Sequence, residues 1–157
     1  MPDGSPIFAA LSIANFGRAN AQGFEISPTY VVSNRWRLQT SYSYFTYDVE
    51  GEIKENPLLP NTAKHQAKAG ILYAGKRWDA SVRYRWVNSF PWWSGIYMGP
   101  VPTHSVVDAS LNVQLKRNWN VGVDASNLLN NEHYEMFGGN IVRRRVLGFV
   151  QYSWGRS

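Results

Sequence analysis

Residues 76–86, KRWDASVRYRW, alternate apolar and polar side chains without a break between two tryptophans eight positions apart. In an extended chain, successive side chains point to opposite faces. Trp78, Ala80, Val82, Tyr84 and Trp86 therefore share one face, and Asp79, Ser81, Arg83 and Arg85 share the other. An arginine on a lipid-facing strand surface at mid-bilayer costs about 2–4 kcal/mol. On the opposite side it meets water. An apolar face tipped at both ends with indole, and backed by arginines, fits a wall with lipid on one side and solvent on the other.

The period of two recurs along the chain. Phe24, Ile26, Pro28 and Tyr30 oppose Glu25, Ser27 and Thr29; Trp36 to Tyr44 oppose Arg35 to Ser43; Ala67 to Tyr73 oppose Gln66 to Leu72. Val107 to Leu115, Trp119 to Ala125 and Val146 to Trp154 repeat the pattern. Such sustained alternation predicts strands with one apolar face, and no segment keeps a helical period. Seven strands are predicted, at roughly 5–32, 35–49, 63–74, 77–90, 103–116, 119–130 and 143–154. A break in the first near Asn15–Ala21 would make eight. Pro28 cannot donate to a ladder and belongs at an edge or a bulge.

Short turns are expected at Ser33–Asn34, Gly75–Lys76 and Arg117–Asn118, each followed closely by Trp36, Trp78 or Trp119. Long connections, near 50–62, 90–102 and 130–142, hold most of the Pro and Gly. The fold expected is all-β: an antiparallel up-and-down meander of about 7–8 long strands with two unlike ends, a partial transmembrane β-barrel. Trp36 to Tyr44 and Trp78 to Trp86 each span eight residues. At ~3.4 Å per residue and a tilt near 40°, that is roughly 20 Å of height, close to the ~25 Å lipid-facing band of membrane barrels. Trp36, Tyr44, Trp78, Trp86, Trp119 and Trp154 are the expected membrane-interface aromatics. At the place matching the upper aromatic, the strand from Trp119 has Asn127.

Composition agrees. Charged residues make up 17% of the 157, below the roughly 25% of soluble proteins, and aromatics 15%. With no cysteine there is no disulfide framework and no thiolate nucleophile or ligand. The net charge of +5 selects neither nucleic acid nor an acidic surface. No apolar run approaches the ~18 residues of a membrane helix, and barrels conceal their apolar residues by alternation. The opening MPDGSPIF has no basic or apolar leader region, so the chain is either not exported or lacks its true N-terminus.

No catalytic constellation appears, and an enzyme is not expected. His65, His104 and His133 lie far apart in sequence; His133 with Glu132 and Glu135 could touch a metal but reads as a solvated loop tip. His104 and Asp108 lack a helix to align them. On a strand, Arg143 and Arg145 face one way and Arg144 the other, which argues against a single nucleic-acid patch. The aromatic stretch FPWWSGIYMGPVP, 90–102, offers Trp92, Trp93 and Tyr97 as stacking surfaces for a ligand ring, or as a loop that packs on itself.

Four segments resemble a known family. NFGRANAQGFEI (15–26), PNTAKHQA (60–67), NLLNNEHY (127–134) and RRVLGFVQYSW (144–154) resemble, in order, elements of the barrel of TonB-dependent outer-membrane receptors. The resemblance implies the C-terminal part of a 22-stranded barrel in the outer membrane of a Gram-negative bacterium. The four segments span about 15–154, and the resemblance implies that residues 1–157 form one barrel section without a plug domain, with Arg143 and Arg145 at its loop-side rim or in contact with an anionic ligand. Full-length members import scarce nutrients, such as siderophores, cobalamin or glycans. Their partners are outer-membrane lipid, a plug domain, TonB and a small ligand such as a metal chelate; no cofactor or nucleic acid is implied. The family usually ends on its final aromatic, whereas Gly155-Arg156-Ser157 follow Trp154 here. The alternatives are a small independent eight-stranded membrane barrel, a soluble β-module and, from the ~41-residue repeat, a propeller, which would need four strands per repeat.

Overall fold

The computed structural model describes residues 18–50, 60–94 and 97–154. Among these described residues, ten strands follow in order: β1 (Arg18–Ile26), β2 (Thr29–Val31), β3 (Trp36–Glu50), β4 (His65–Ala74), β5 (Trp78–Val87), β6 (Phe90–Ser94), β7 (Tyr97–Val101), β8 (His104–Lys116), β9 (Trp119–Ser126) and β10 (Arg145–Tyr152). One antiparallel sheet runs β1-β3-β4-β5-β8-β9-β10, with β2 beside β3, and β6 and β7 form a separate hairpin. Among the described residues, β1 and β10 do not pair, so the sheet is an open wall.

The expected first strand is continuous from Arg18 through Ala21, so no break falls there; its expected part before Arg18 lies outside the described residues. The interruption is at Ser27–Pro28 instead. Ile26 pairs with Tyr42 and Thr29 with Gln39, so the register passes the gap unchanged, while Pro28 contributes its carbonyl to Thr40 N at 3.1 Å. Proline removes only a donor. On this outermost strand that loss leaves no ladder bond broken on a second side.

Two further boundaries differ from expectation. The strand predicted over 119–130 ends at Ser126, because Asn127 adopts φ +52° and turns the chain. The stretch 90–102, read as an irregular loop, is a β-hairpin in which Phe90 pairs with Val101 and Trp93 with Met98. Its aromatic and β-branched residues favour extended backbone, a propensity outweighed in the sequence reading by its Pro and Gly.

Register fixes the faces. Trp36, Tyr73, Ala80, Leu111 and Val123 follow one another across five strands, as do Leu38, Ile71, Val82, Ala109 and Ala125. Gln39, Gly70, Arg83 and Asp108 align on the reverse, as do Ser41, Lys68, Arg85 and Val106. No second layer of protein covers the first face among the described residues: Val82 is 47% exposed, Ile71 45% and Val150 67%. In a soluble sandwich these side chains would form the core. The buried apolar residues lie toward the end carrying the long connections: Ala63, Val87, Val101, Val106 and Ala125. That loop end is where the fold becomes three-dimensional.

Candidate functional site

The site is assembled over the loop end by the β6–β7 hairpin, the segment before β4, and the connection from β9 to β10. Asparagines tie it together. Asn61, at φ +52°, accepts from Trp93 N at 2.8 Å on Oδ1 and donates Nδ2 to Trp93 O at 2.9 Å, imitating a strand partner for the hairpin. Asn127, 1% exposed, accepts Asn131 N at 2.9 Å and donates Nδ2 to Asn131 O at 2.9 Å. Its own N–H reaches Asp108 Oδ1 at 2.9 Å. Asn130 Oδ1 accepts Arg144 N at 2.9 Å. Asn tolerates the left-handed backbone these turns require, and its amide replaces missing ladder partners. The NLLNN run is therefore a clamp, and the upper aromatic of β9 gives way to it.

The hairpin packs on this clamped connection. The Phe137 ring lies directly over Gly99, in space that any Cβ would occupy, and Gly138, at φ +76°, lets Tyr97 Cδ1 lie 2.9 Å from where a Cβ would be. Trp92 and Trp93 are half-buried, and Tyr97 is exposed. The structure thus gathers Trp92, Trp93 and Tyr97 on one hairpin. Arg143 and Arg145 stand apart, exposed at the foot of β10, with Arg143 Nε 3.1 Å from Glu132 Oε1.

One constellation escaped the sequence reading. His133 is buried, 6% exposed, rather than a solvated tip, and it stacks on the equally buried His104 with centroids 4.4 Å apart and planes 13° from parallel. Glu135 lies beside them, its Oε1 3.8 Å from His133 Nε2 and 2.9 Å from Arg85 Nη2. The Arg85 hydrogen bond is the main influence holding the Glu135 carboxyl below its usual range, against partial burial. The 29-position separation of the histidines conceals this pairing in sequence; only the folding of the β9–β10 connection back over the start of β8 creates it.

The aromatics of the exposed face form two rows. At the turn end, Tyr73 stacks on Trp78 at 4.1 Å and meets Trp36 edge-on at 4.8 Å; Tyr152 contacts Trp119 at 4.8 Å and Trp154 at 5.1 Å. At the loop end, Tyr44 lies 5.8 Å from Phe24 and 5.2 Å from His65, with Trp86 half-buried two strands away.

The family model for the TonB-dependent receptor-like β-barrel matches residues 1–128. The chain belongs to the TonB-dependent receptor β-barrel family. Three solved structures share its fold, each aligned over 87% of this chain: the copper transporter OprC (17% identity, TM-score 0.67), the ferric-catecholate import receptor Fiu from E. coli K12 (20%, 0.67) and the siderophore receptor PiuA from Acinetobacter baumannii (14%, 0.68). The chain spans 24%, 21% and 22% of their lengths. No curated protein matches it in sequence. The expected membership of the TonB-dependent receptors and the all-β meander are both borne out.

Proposed function

We propose that the chain forms a wall section of an outer-membrane TonB-dependent receptor for ligand-gated nutrient uptake, and performs no catalysis. The supporting observation is the single-layer sheet, whose apolar face is exposed between two aromatic rows. Open apolar surface of this extent in water marks a partner or a membrane. Here the partner is lipid. Trp36, Trp78, Trp119 and Trp154 lie at the interface of the turn side, Tyr44 and Trp86 at that of the loop side, and the reverse face meets water. Short turns then face the periplasm and long connections the exterior, as in outer-membrane barrels.

The hairpin carrying Trp92, Trp93 and Tyr97 is the ligand-contact element in this reading, with Arg143 and Arg145 as rim cations for an acidic ligand. A metal chelate of the siderophore class is favoured by the aromatic surface and the cationic rim. The similar structures described as siderophore and ferric-catecholate receptors agree with that class. The plug domain and TonB are the partners this function requires.

Density-gradient fractionation of Gram-negative cells producing the chain should place it with outer-membrane vesicles; recovery as a detergent-free cytosolic monomer would reject the membrane assignment. Ligand contact is tested separately, by tryptophan fluorescence of those vesicles titrated with a ferric catecholate. Quenching that is lost in Trp92→Ala is expected. Quenching that is unchanged in Trp92→Ala and Trp93→Ala would remove the hairpin from the ligand path.

A further inference from the structure

Two buried imidazoles and a carboxylate meet beneath the last connection with no donor between the rings. His133 Nδ1 is 2.7 Å from Asn131 O and His104 Nδ1 is 3.1 Å from Pro102 O. A carbonyl only accepts, so both Nδ1 atoms carry the hydrogen, and in the neutral rings each Nε2 keeps its lone pair. Among the described residues, His133 Nε2 is fully buried without a hydrogen-bond partner, 3.8 Å from an oxygen of Glu135. Buried polar atoms are rarely left so. A lone pair facing a carboxylate is unfavourable unless a cation stands between them.

We propose that His104, His133 and Glu135 form a binding site for a late first-row divalent metal ion, of the Zn²⁺ or Cu²⁺ type, that staples the β9–β10 connection to the start of β8. One ligand atom from each residue lies within 4.8 Å of the others. A tetrahedral ion with bonds of about 2.0–2.2 Å holds its ligands about 3.4 Å apart, so closure requires shifts of roughly an ångström. The near-parallel stack points the two lone pairs side by side rather than at one point. The His104 ring must therefore rotate out of the stack as the ion binds. Two imidazoles and one carboxylate suit zinc and copper better than magnesium or calcium, and leave a fourth position for water. Carbonyl acceptors on both Nδ1 atoms orient the rings as outer partners do in metal sites. Arg85 opposes the ion, because its guanidinium already occupies Glu135 Oε1.

That opposition separates the proposal from a purely structural cluster. The full chain in outer-membrane vesicles, stripped with chelator, is titrated with Zn²⁺ and, in parallel, with Cu²⁺ read by electron paramagnetic resonance. One ion per chain is expected, with a two-nitrogen Cu²⁺ signature. His104→Ala and His133→Ala should each weaken binding about tenfold or more, and each should leave a one-nitrogen signal. His65→Ala, which removes the only other histidine, should change nothing. Arg85→Gln should tighten binding by about tenfold, since a neighbouring positive charge is gone; a misfolded variant could not do so. No saturable binding to wild type, affinity indifferent to His104→Ala and His133→Ala, or weaker binding in Arg85→Gln would each overturn the site. So would a His133 that carries a proton and gives no response to either metal.

Discussion

At the residue scale, Asn127 shows how one side chain can end a strand and organise a loop. Its amide satisfies both backbone groups of Asn131, and its backbone N–H is held by Asp108. Asn127→Ala leaves these groups buried and unpaired and also disfavours the left-handed backbone. The loss expected is about 2–3 kcal/mol of the stability of the folded chain in detergent, measured by urea unfolding. Asn127→Gly keeps the backbone and removes the amide, so it isolates the hydrogen-bond share. Glu135 makes a pH prediction at the same scale. Its folded pKa is depressed, chiefly by Arg85, so the stability it contributes is present above its unfolded value and lost as pH falls through the folded one. Protease cleavage within 131–142 should accelerate over that acid range in the wild type. In Glu135→Gln the acceleration should vanish; an identical pH profile would show that the Arg85–Glu135 pair does not hold the connection.

At the element scale, register makes the two faces of one sheet energetically unlike. Val82 lies on the exposed apolar face and Asn112 on the polar one, where it donates to Asp79 Oδ2 at 2.9 Å. Val82→Arg should cost about 2–4 kcal/mol in bilayer-folded protein, as a charge facing lipid near mid-membrane. Asn112→Arg should cost far less, because it meets water and the Asp79 carboxylate. Equal costs would mean that both faces see the same medium. The hairpin carries its own prediction: Gly99→Val displaces the Phe137 ring and should undock β6–β7, raising hydrogen exchange at Trp93 N while leaving the β4–β5 ladder protected. The strands with regular alternation were legible in sequence because one face must be apolar throughout. The hairpin was not, because a short aromatic run broken by Pro and Gly carries no face to read.

At the scale of the whole molecule, the chain inverts the usual arrangement of a small protein. Its apolar residues are spread over an open wall, and its buried ones gather at one end. The meander, its two faces and its unlike ends could be derived from alternation, tryptophan spacing and connection length, since all three are local in sequence. The loop-end cluster could not. His104, His133, Glu135 and Arg85 come from three separate segments, and their meeting depends on how the long connections fold back over the sheet. The absence of native cysteine allows the central claim to be tested one residue at a time. Single-cysteine nitroxide labels along residues 78–87, in chain folded into lipid bilayers, report collision with oxygen, which partitions into lipid, and with a water-soluble nickel chelate. Oxygen access should peak at 80, 82 and 84 and nickel access at 79, 81, 83 and 85, in strict alternation. If nickel reaches every position equally, or the alternation is missing, the apolar face does not meet acyl chains and the membrane-wall account is wrong.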